Sequence, residues 1–139
     1  MVVDANVIAK WVLTGEPYED NALRLKEAVV NRSVMLHSPD LLVSELGNVF
    51  WKASKKSRIS NENAIGALGV LATMNITLHR LKWEEAIECL HSAIELDLTV
   101  YDASYLHLGK VLGVSVLTVD EKLWKSAKGK YDVALLKDF

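Results

Sequence analysis

Apolar runs too short to be helices alternate along this chain with segments of helical period, and that alternation constrains the fold more than any other feature. Strands are expected at Met1–Asp4, Val34–His37, Ile76–Leu81 and Val114–Val119, with Val133–Leu136 as a last edge strand. Helices are expected over Asn6–Leu13, Tyr18–Val30, Asp40–Lys56, Ser60–Met74, Trp83–Leu96, Thr99–Leu112 and Glu121–Lys128. Their inward faces read as Ala22, Leu25, Ala28 and Val29, then Leu42, Leu46, Val49, Phe50 and Ala53, then Ala86, Ile87, Leu90 and Ile94. Punctuation supports these bounds. Gly15-Glu16-Pro17 breaks the chain, Ser38-Pro39 supplies an N-cap and a first-turn proline, and Gly113 follows a helix as a C-cap would. Val114–Val119 is almost continuously apolar, as a strand buried on both faces must be. Strands separated by helices imply right-handed parallel crossovers. The expected fold is α/β: a three-layer α/β/α sandwich around a central, mainly parallel sheet of about five strands, with residues 1–139 as a single domain.

Half of the 139 residues are hydrophobic and only two are proline, which excludes a disordered chain. A net charge of −2 argues against bulk attraction to nucleic acid or anionic membrane, while leaving room for a local basic face. Cys89 is alone, which excludes an internal disulfide and suits a reducing compartment. No basic segment and apolar run of the signal-peptide type precedes Asp4. The longest apolar stretch, Ala64–Ala72, falls far short of the ~20 residues of a bilayer span. The expectation is a soluble cytoplasmic protein with no membrane association.

Four acids stand at the ends of the expected elements: Asp4, Glu45, Asp102 and Asp120. Each alone has an ordinary explanation. Asp4 and Asp120 precede helices as N-caps do, Thr99-Val100-Tyr101-Asp102 fits a capping box, and Glu45 lies near a helix N-terminus. Their arrangement points further. Carboxylates that follow buried parallel strands face the crevice where open α/β sheets bind ligands. Glu45 also borders the buried row of Leu42, Leu46 and Val49, where an unpartnered charge is costly. Gathered carboxylates repel by ~4 kcal/mol per pair at ~4 Å and an effective dielectric near 20. A divalent cation with oxygen ligands relieves that repulsion. Asn6 and Thr118 are short polar neighbours suited to orient Asp4 and Asp120.

Asp4-Ala5-Asn6, Ser44-Glu45-Leu46, Tyr101-Asp102-Ala103-Ser104-Tyr105-Leu106 and Leu117-Thr118-Val119-Asp120 resemble the four motifs of PIN-domain nucleases, in order and spacing over essentially the whole chain. The small size resembles prokaryotic toxins of the VapBC toxin–antitoxin type. The resemblance implies a metal-dependent endoribonuclease in which Asp4, Glu45, Asp102 and Asp120 form a magnesium or manganese site, supported by Asn6 and Thr118. It implies an RNA substrate, a small antitoxin partner and a homodimer. Hard oxygen donors favour these ions over zinc. Asp4 and Asp102 are expected on the most tightly held ion, with Glu45 and Asp120 completing it through water or helping to hold a second. Many members carry a further acid after the fourth motif; here Glu121 is adjacent, whereas Leu123 and Trp124 are apolar.

Lys52, Lys55, Lys56 and Arg58 cluster at the end of the Glu45-bearing helix, and Lys122, Lys125, Lys128 and Lys130 form a second basic stretch. Both read as solvated partners of helix C-termini or as phosphate contacts beside the acids. Trp11, Trp51, Trp83 and Trp124 suit packing more than base stacking. The histidines lack ligand spacing, and neither GxSxG nor a phosphate-cradling glycine loop occurs. Gly66 and Gly69 imply close approach of another helix, within the domain or at an interface. Two other functions compete. An aspartate-nucleophile phosphatase also places Asp after its first strand, but its Asp-x-Asp pattern meets Asn6 here. A non-catalytic PIN-fold regulatory binding module would have no use for the four acids.

Overall fold

The computed structural model describes residues 1–139. In chain order the elements are β1 (Val2–Val3), α1 (Ala5–Ala9), α2 (Glu19–Val30), β2 (Leu36–Pro39), α3 (Leu41–Lys55) and α4 (Asn61–Leu71). There follow β3 (Ile76–His79), α5 (Trp83–Leu96), α6 (Val100–Leu112), β4 (Val116–Thr118), α7 (Glu121–Ala127), β5 (Val133–Leu135) and a closing 3-10 turn, Leu136–Asp138. All five strands are parallel, in the order β3-β2-β1-β4-β5. Period-two alternation splits the two residues of β1 between the layers. Val3 packs with Ile8, Leu25, Leu46 and Phe50 of α1, α2 and α3, while Val2 packs with Leu106 and Leu123 of α6 and α7. The expected α/β/α sandwich is the observed one.

The topology decides where chemistry can sit. The chain steps outward from β1 to β2 and β3, then crosses back through α5 and α6 to β4 on the other side of β1. The reversal falls between β1 and β4, which pair through Val2 with Val116 and Val3 with Leu117. Helices on opposite faces diverge there and open a crevice beyond the strand C-termini.

Local signals account for most element ends. Ser60 caps α4 by accepting from the Asn63 N–H at 3.1 Å. Thr99 and Asp102 form a reciprocal capping box at the start of α6. Gly113 closes α6 at φ 65°, a left-handed conformation that glycine adopts without strain. Gly109 serves close packing instead. A Cβ there would lie 2.6 Å from Val116 Cγ2 and 3.0 Å from the Val114 carbonyl oxygen. Gly109→Ala should therefore lower stability by about 1–3 kcal/mol through overpacking, despite alanine's better helix propensity. Urea unfolding checks this, and an unchanged or raised midpoint would contradict it.

Three expectations are corrected. Ser38 and Pro39 do not start a helix; they extend β2, with Pro39 in register with His79. The Ser38 hydroxyl donates to the Val3 carbonyl at 3.2 Å, and the Asp40 N–H bonds to the His79 carbonyl at 2.9 Å. Proline is tolerated here because it ends its strand. Second, α5 does not turn Ile87, Leu90 and Ile94 inward. It packs through Cys89 and Ala93 against Ala103 of α6, small side chains that let the helices approach. Third, no neighbour lies within 4 Å of a Cβ built at Gly66 or Gly69, so close packing inside the domain does not explain them.

His37 and His79 do fall in strands, where His37 Nδ1 and His79 Nε2 are 3.1 Å apart. Burial, followed by neighbouring positive charge, lowers the pKa of His37. Trp11 is buried, whereas Trp51 and Trp83 are exposed. No helix is long and apolar enough to cross a membrane.

Candidate active site

Asp4 follows β1 at the switch point and is 7% exposed. It caps α1, Oδ1 accepting from the Val7 N–H at 2.9 Å, while the Thr118 hydroxyl donates to Oδ2. Burial pushes its pKa up to about 6. The bonds from Thr118 and Val7 oppose that rise, and the charge of Glu45 adds to it. Asn6 contributes its main-chain N–H, while its side chain faces solvent.

Glu45 is half-buried in the second turn of α3 and reaches over the sheet edge from one helical layer. Tyr105 of α6 reaches from the other, its hydroxyl donating to Glu45 Oε2. Burial raises the pKa of Glu45; the Tyr105 bond offsets this in part, and the charge of Asp102 adds to it. Burial, then the neighbouring Glu45, pushes the Tyr105 phenol far upward, so it stays protonated and remains a donor. Tyr105 was not singled out from the sequence. Its signal was spacing: it lies three residues after Asp102, on the same helix face.

Asp102 has a dual position. Its Oδ2 accepts from the Thr99 hydroxyl at 2.7 Å and the Thr99 N–H at 3.3 Å, so the capping role exists, and its charge is also felt at Glu45. Asp120 stands further out. It is exposed and caps α7 through the N–H groups of Lys122 and Leu123, at 2.7 and 3.1 Å. Its link to the others is Thr118, whose hydroxyl accepts from the Asp120 N–H at 3.0 Å and donates to Asp4. Glu45 is thus the electrostatic link between Asp4 and Asp102, and Thr118 links Asp120 to Asp4.

No ion pair reaches any of these four acids. The buried Asp4 beside Glu45, and Glu45 beside Asp102, have no positive charge to balance them, and the oxygen donors suit a hard divalent ion. As they stand, no three acidic, imidazole or thiol groups converge closely enough to ligate one ion together.

The basic cluster lies elsewhere. Lys55 is ten residues beyond Glu45 on α3, ~15 Å along the axis at 1.5 Å per residue. Lys52, Lys55 and Lys56 are exposed, and Arg58 is paired with Glu16 at 2.6 Å. Glu121, adjacent to Asp120, is bound to Lys125 at 3.0 Å and Lys137 at 3.7 Å. Cys89 is buried and its pKa rises to about 11, by burial first and then by Glu85 and Glu88, which excludes a reactive thiolate.

Acids at the switch point of an all-parallel five-stranded sheet accord with the family the chain matches. The PIN domain model covers residues 1–129, and the chain belongs to the PIN-domain family. Among relatives from Pyrobaculum aerophilum it is 29% identical to ribonuclease VapC3 over 88% of this chain and 91% of that protein. It is 33% identical to exonuclease VapC9 over 69% of this chain and 70% of that one. Two solved structures share the fold. The P. aerophilum protein PAE2754 superposes with a TM-score of 0.72 at 21% identity, covering 99% of this chain and 89% of its own. A toxin–antitoxin complex from Klebsiella pneumoniae gives 0.62 at 15% identity, covering 97% and 96%.

Proposed function

We propose that this PIN domain is a magnesium- or manganese-dependent endoribonuclease, the toxin of a toxin–antitoxin pair, working at Asp4, Glu45, Asp102 and Asp120. One observation carries the reading: Asp4 is a buried carboxyl at the switch point that feels the charge of Glu45, which in turn feels that of Asp102, and no ion pair reaches any of the three. The names of the curated relatives, a ribonuclease and an exonuclease, support nuclease chemistry.

The chain's own groups divide the work. Asp4 and Asp102 would hold the ion most directly, and Glu45 and Asp120 would act through water or at a second ion. Thr118 orients Asp4 and fixes the backbone at Asp120. Tyr105 holds Glu45 over the crevice, and Asn6 lends Asp4 its main-chain N–H. A bound divalent ion supplies charge stabilisation for the phosphodiester in flight and acidifies a bound water. The crevice leaves Asp120 exposed, so a strand of RNA reaches the site without the domain opening.

A circular RNA gives the direct test, because it has no ends and one relative carries an exonuclease name. Linearisation in magnesium or manganese, and none in chelator, is the expected result. Degradation of linear RNA alone would replace the endonuclease with an exonuclease; release of phosphate from a monoester alone would revive the phosphatase.

Lys52, Lys55, Lys56 and Arg58 are proposed to steer RNA from a distance. Lys55→Ala with Lys56→Ala should weaken binding of a non-cleavable RNA and lower the salt slope by about 1–2, one phosphate per lysine. An unchanged slope returns them to a solvated face. An antitoxin partner is supported by the toxin–antitoxin complex that shares the fold, and by Trp51 and Ile65, which leave apolar surface exposed on α3 and α4. A homodimer belongs to the same reading.

A further inference from the structure

The sheet edge that carries Asp4 continues to β3. Val2 is level with His37 and Pro39 with His79, so Asp4 and His79 stand at the same edge, two strand spacings or ~10 Å apart. The chain leaves β3 there as Arg80-Leu81-Lys82-Trp83. Arg80 and Lys82 are exposed, and neither has an ion-pair partner. A cavity of about 190 Å³ lies between this segment and α6, with Leu81, Leu108 and Val111 among its walls and Glu85 and His107 among its polar groups. Two observations mark it as more than a packing fault. His107 Nε2 is buried without a hydrogen-bond partner, a costly state. Glu85 Oε1 lies 4.0 Å from it, too far to bond but close enough for one ligand edge to meet both.

Glu85 is held in that position because its Oε2 accepts from the Lys82 N–H at 2.8 Å. A free acceptor thus stands beside a ring nitrogen that donates in its Nε2–H tautomer. Nucleobases present a neighbouring donor and acceptor on the Watson–Crick edge, free to be read only when unpaired. The cavity has room for one base and not for a pair. Outside it, Trp83 is 86% exposed in an open groove shared with Arg80, Lys82 and Glu84. An exposed indole between unpaired cations is the make-up of a single-strand platform. We propose that an unpaired nucleotide flanking the cleaved bond binds at the end of β3, its base against Glu85 and His107, its phosphate on Arg80 and Lys82, and the next base stacked on Trp83. This subsite rests on the nuclease reading and adds to it a preference for unpaired RNA and a place where base identity is read.

Binding of short unpaired oligoribonucleotides to the full chain, followed by fluorescence anisotropy in chelator so that nothing is cut, tests it. Trp83→Ala should weaken binding about tenfold. Arg80→Ala with Lys82→Ala should weaken it and lower the salt slope by about 1–2. All three side chains are exposed, so these variants keep the fold. Glu85→Gln keeps the cap on α5, because glutamine also serves in a capping box, but turns a donor toward the cavity. It should change the order of affinity among oligomers of A, C, G and U rather than lower all four alike. A wild type that binds no unpaired RNA, or variants that leave affinity and base order unchanged, overturn the subsite. Cleavage of circular RNA judges the nuclease separately. Cutting with binding unchanged in the variants refutes the subsite alone, and binding that depends on these residues without cutting refutes the nuclease alone.

Discussion

Asp4→Asn is expected to remove metal-dependent RNA cleavage, with a loss on the order of 10²–10³-fold or more, the scale set by deleting one preorganised electrostatic group. The amide keeps the shape of the carboxyl. Its oxygen still accepts from the Val7 N–H, so the cap on α1 survives, since Asn and Asp cap comparably. What disappears is the negative charge at the only proposed ligand that lies wholly within the switch-point crevice. Initial rates on a labelled RNA, at saturating magnesium and again at saturating manganese, measure the loss. Undiminished cleavage would remove Asp4 from the proposed site.

The same substitution should act in the opposite direction on stability. Asp4 has a pKa of about 6 in the fold against an ordinary 3.8, chiefly through burial. A carboxyl raised in this way binds its proton more tightly folded than unfolded. Its contribution is fully present below pH ~4 and is lost as pH rises through about 6. A gap of about two units corresponds to roughly 3 kcal/mol. In chelator the wild type should therefore fall below Asp4→Asn by about that amount between pH 4 and pH 7. The difference between the two proteins is the quantity to follow. Glu16 and Glu121, whose partners Arg58 and Lys125 lower their pKa values, lose stability toward acid equally in both. Saturating metal should reverse the trend for the wild type alone, because ligation requires the ionised form. Parallel pH profiles for the two proteins would contradict the burial of Asp4.

Much of the fold was legible because its signals are local. Ser60, the Thr99–Asp102 box and Gly113 mark helix ends through hydrogen bonds within a few residues, and the apolar run after Gly113 leads into β4 as patterned. Pro39 misled because a proline after serine looks the same at a helix start and at a strand end; pairing with His79 decides between them, and that contact is remote in sequence. Helix α5 misled for a different reason. Periodicity reports which residues share a face, not which surface covers it, so Ile87, Leu90 and Ile94 grouped correctly and were assigned to the wrong side. In the candidate site, short-range spacing marked the acids, while the groups that orient them come from afar. Thr118 meets Asp4 across 114 positions and Tyr105 meets Glu45 across 60. Asp120 shows the limit most clearly: its cap and its place beside β4 were readable, but its exposure was not.

If the four acids share one metal centre, manganese-induced thermal stabilisation of Asp4→Asn, Glu45→Gln, Asp102→Asn and Asp120→Asn reveals it without any substrate. Metal binding to the native state raises stability by RT ln(1 + [L]/Kd), so weaker affinity reads out as a smaller shift at fixed manganese. The wild type should show the largest rise over its value in chelator. Asp4→Asn and Asp102→Asn should lose most of it, and Glu45→Gln and Asp120→Asn part of it. If all four variants rise as far as the wild type, the acids are caps and buried neighbours only, and the metal-dependent reading fails.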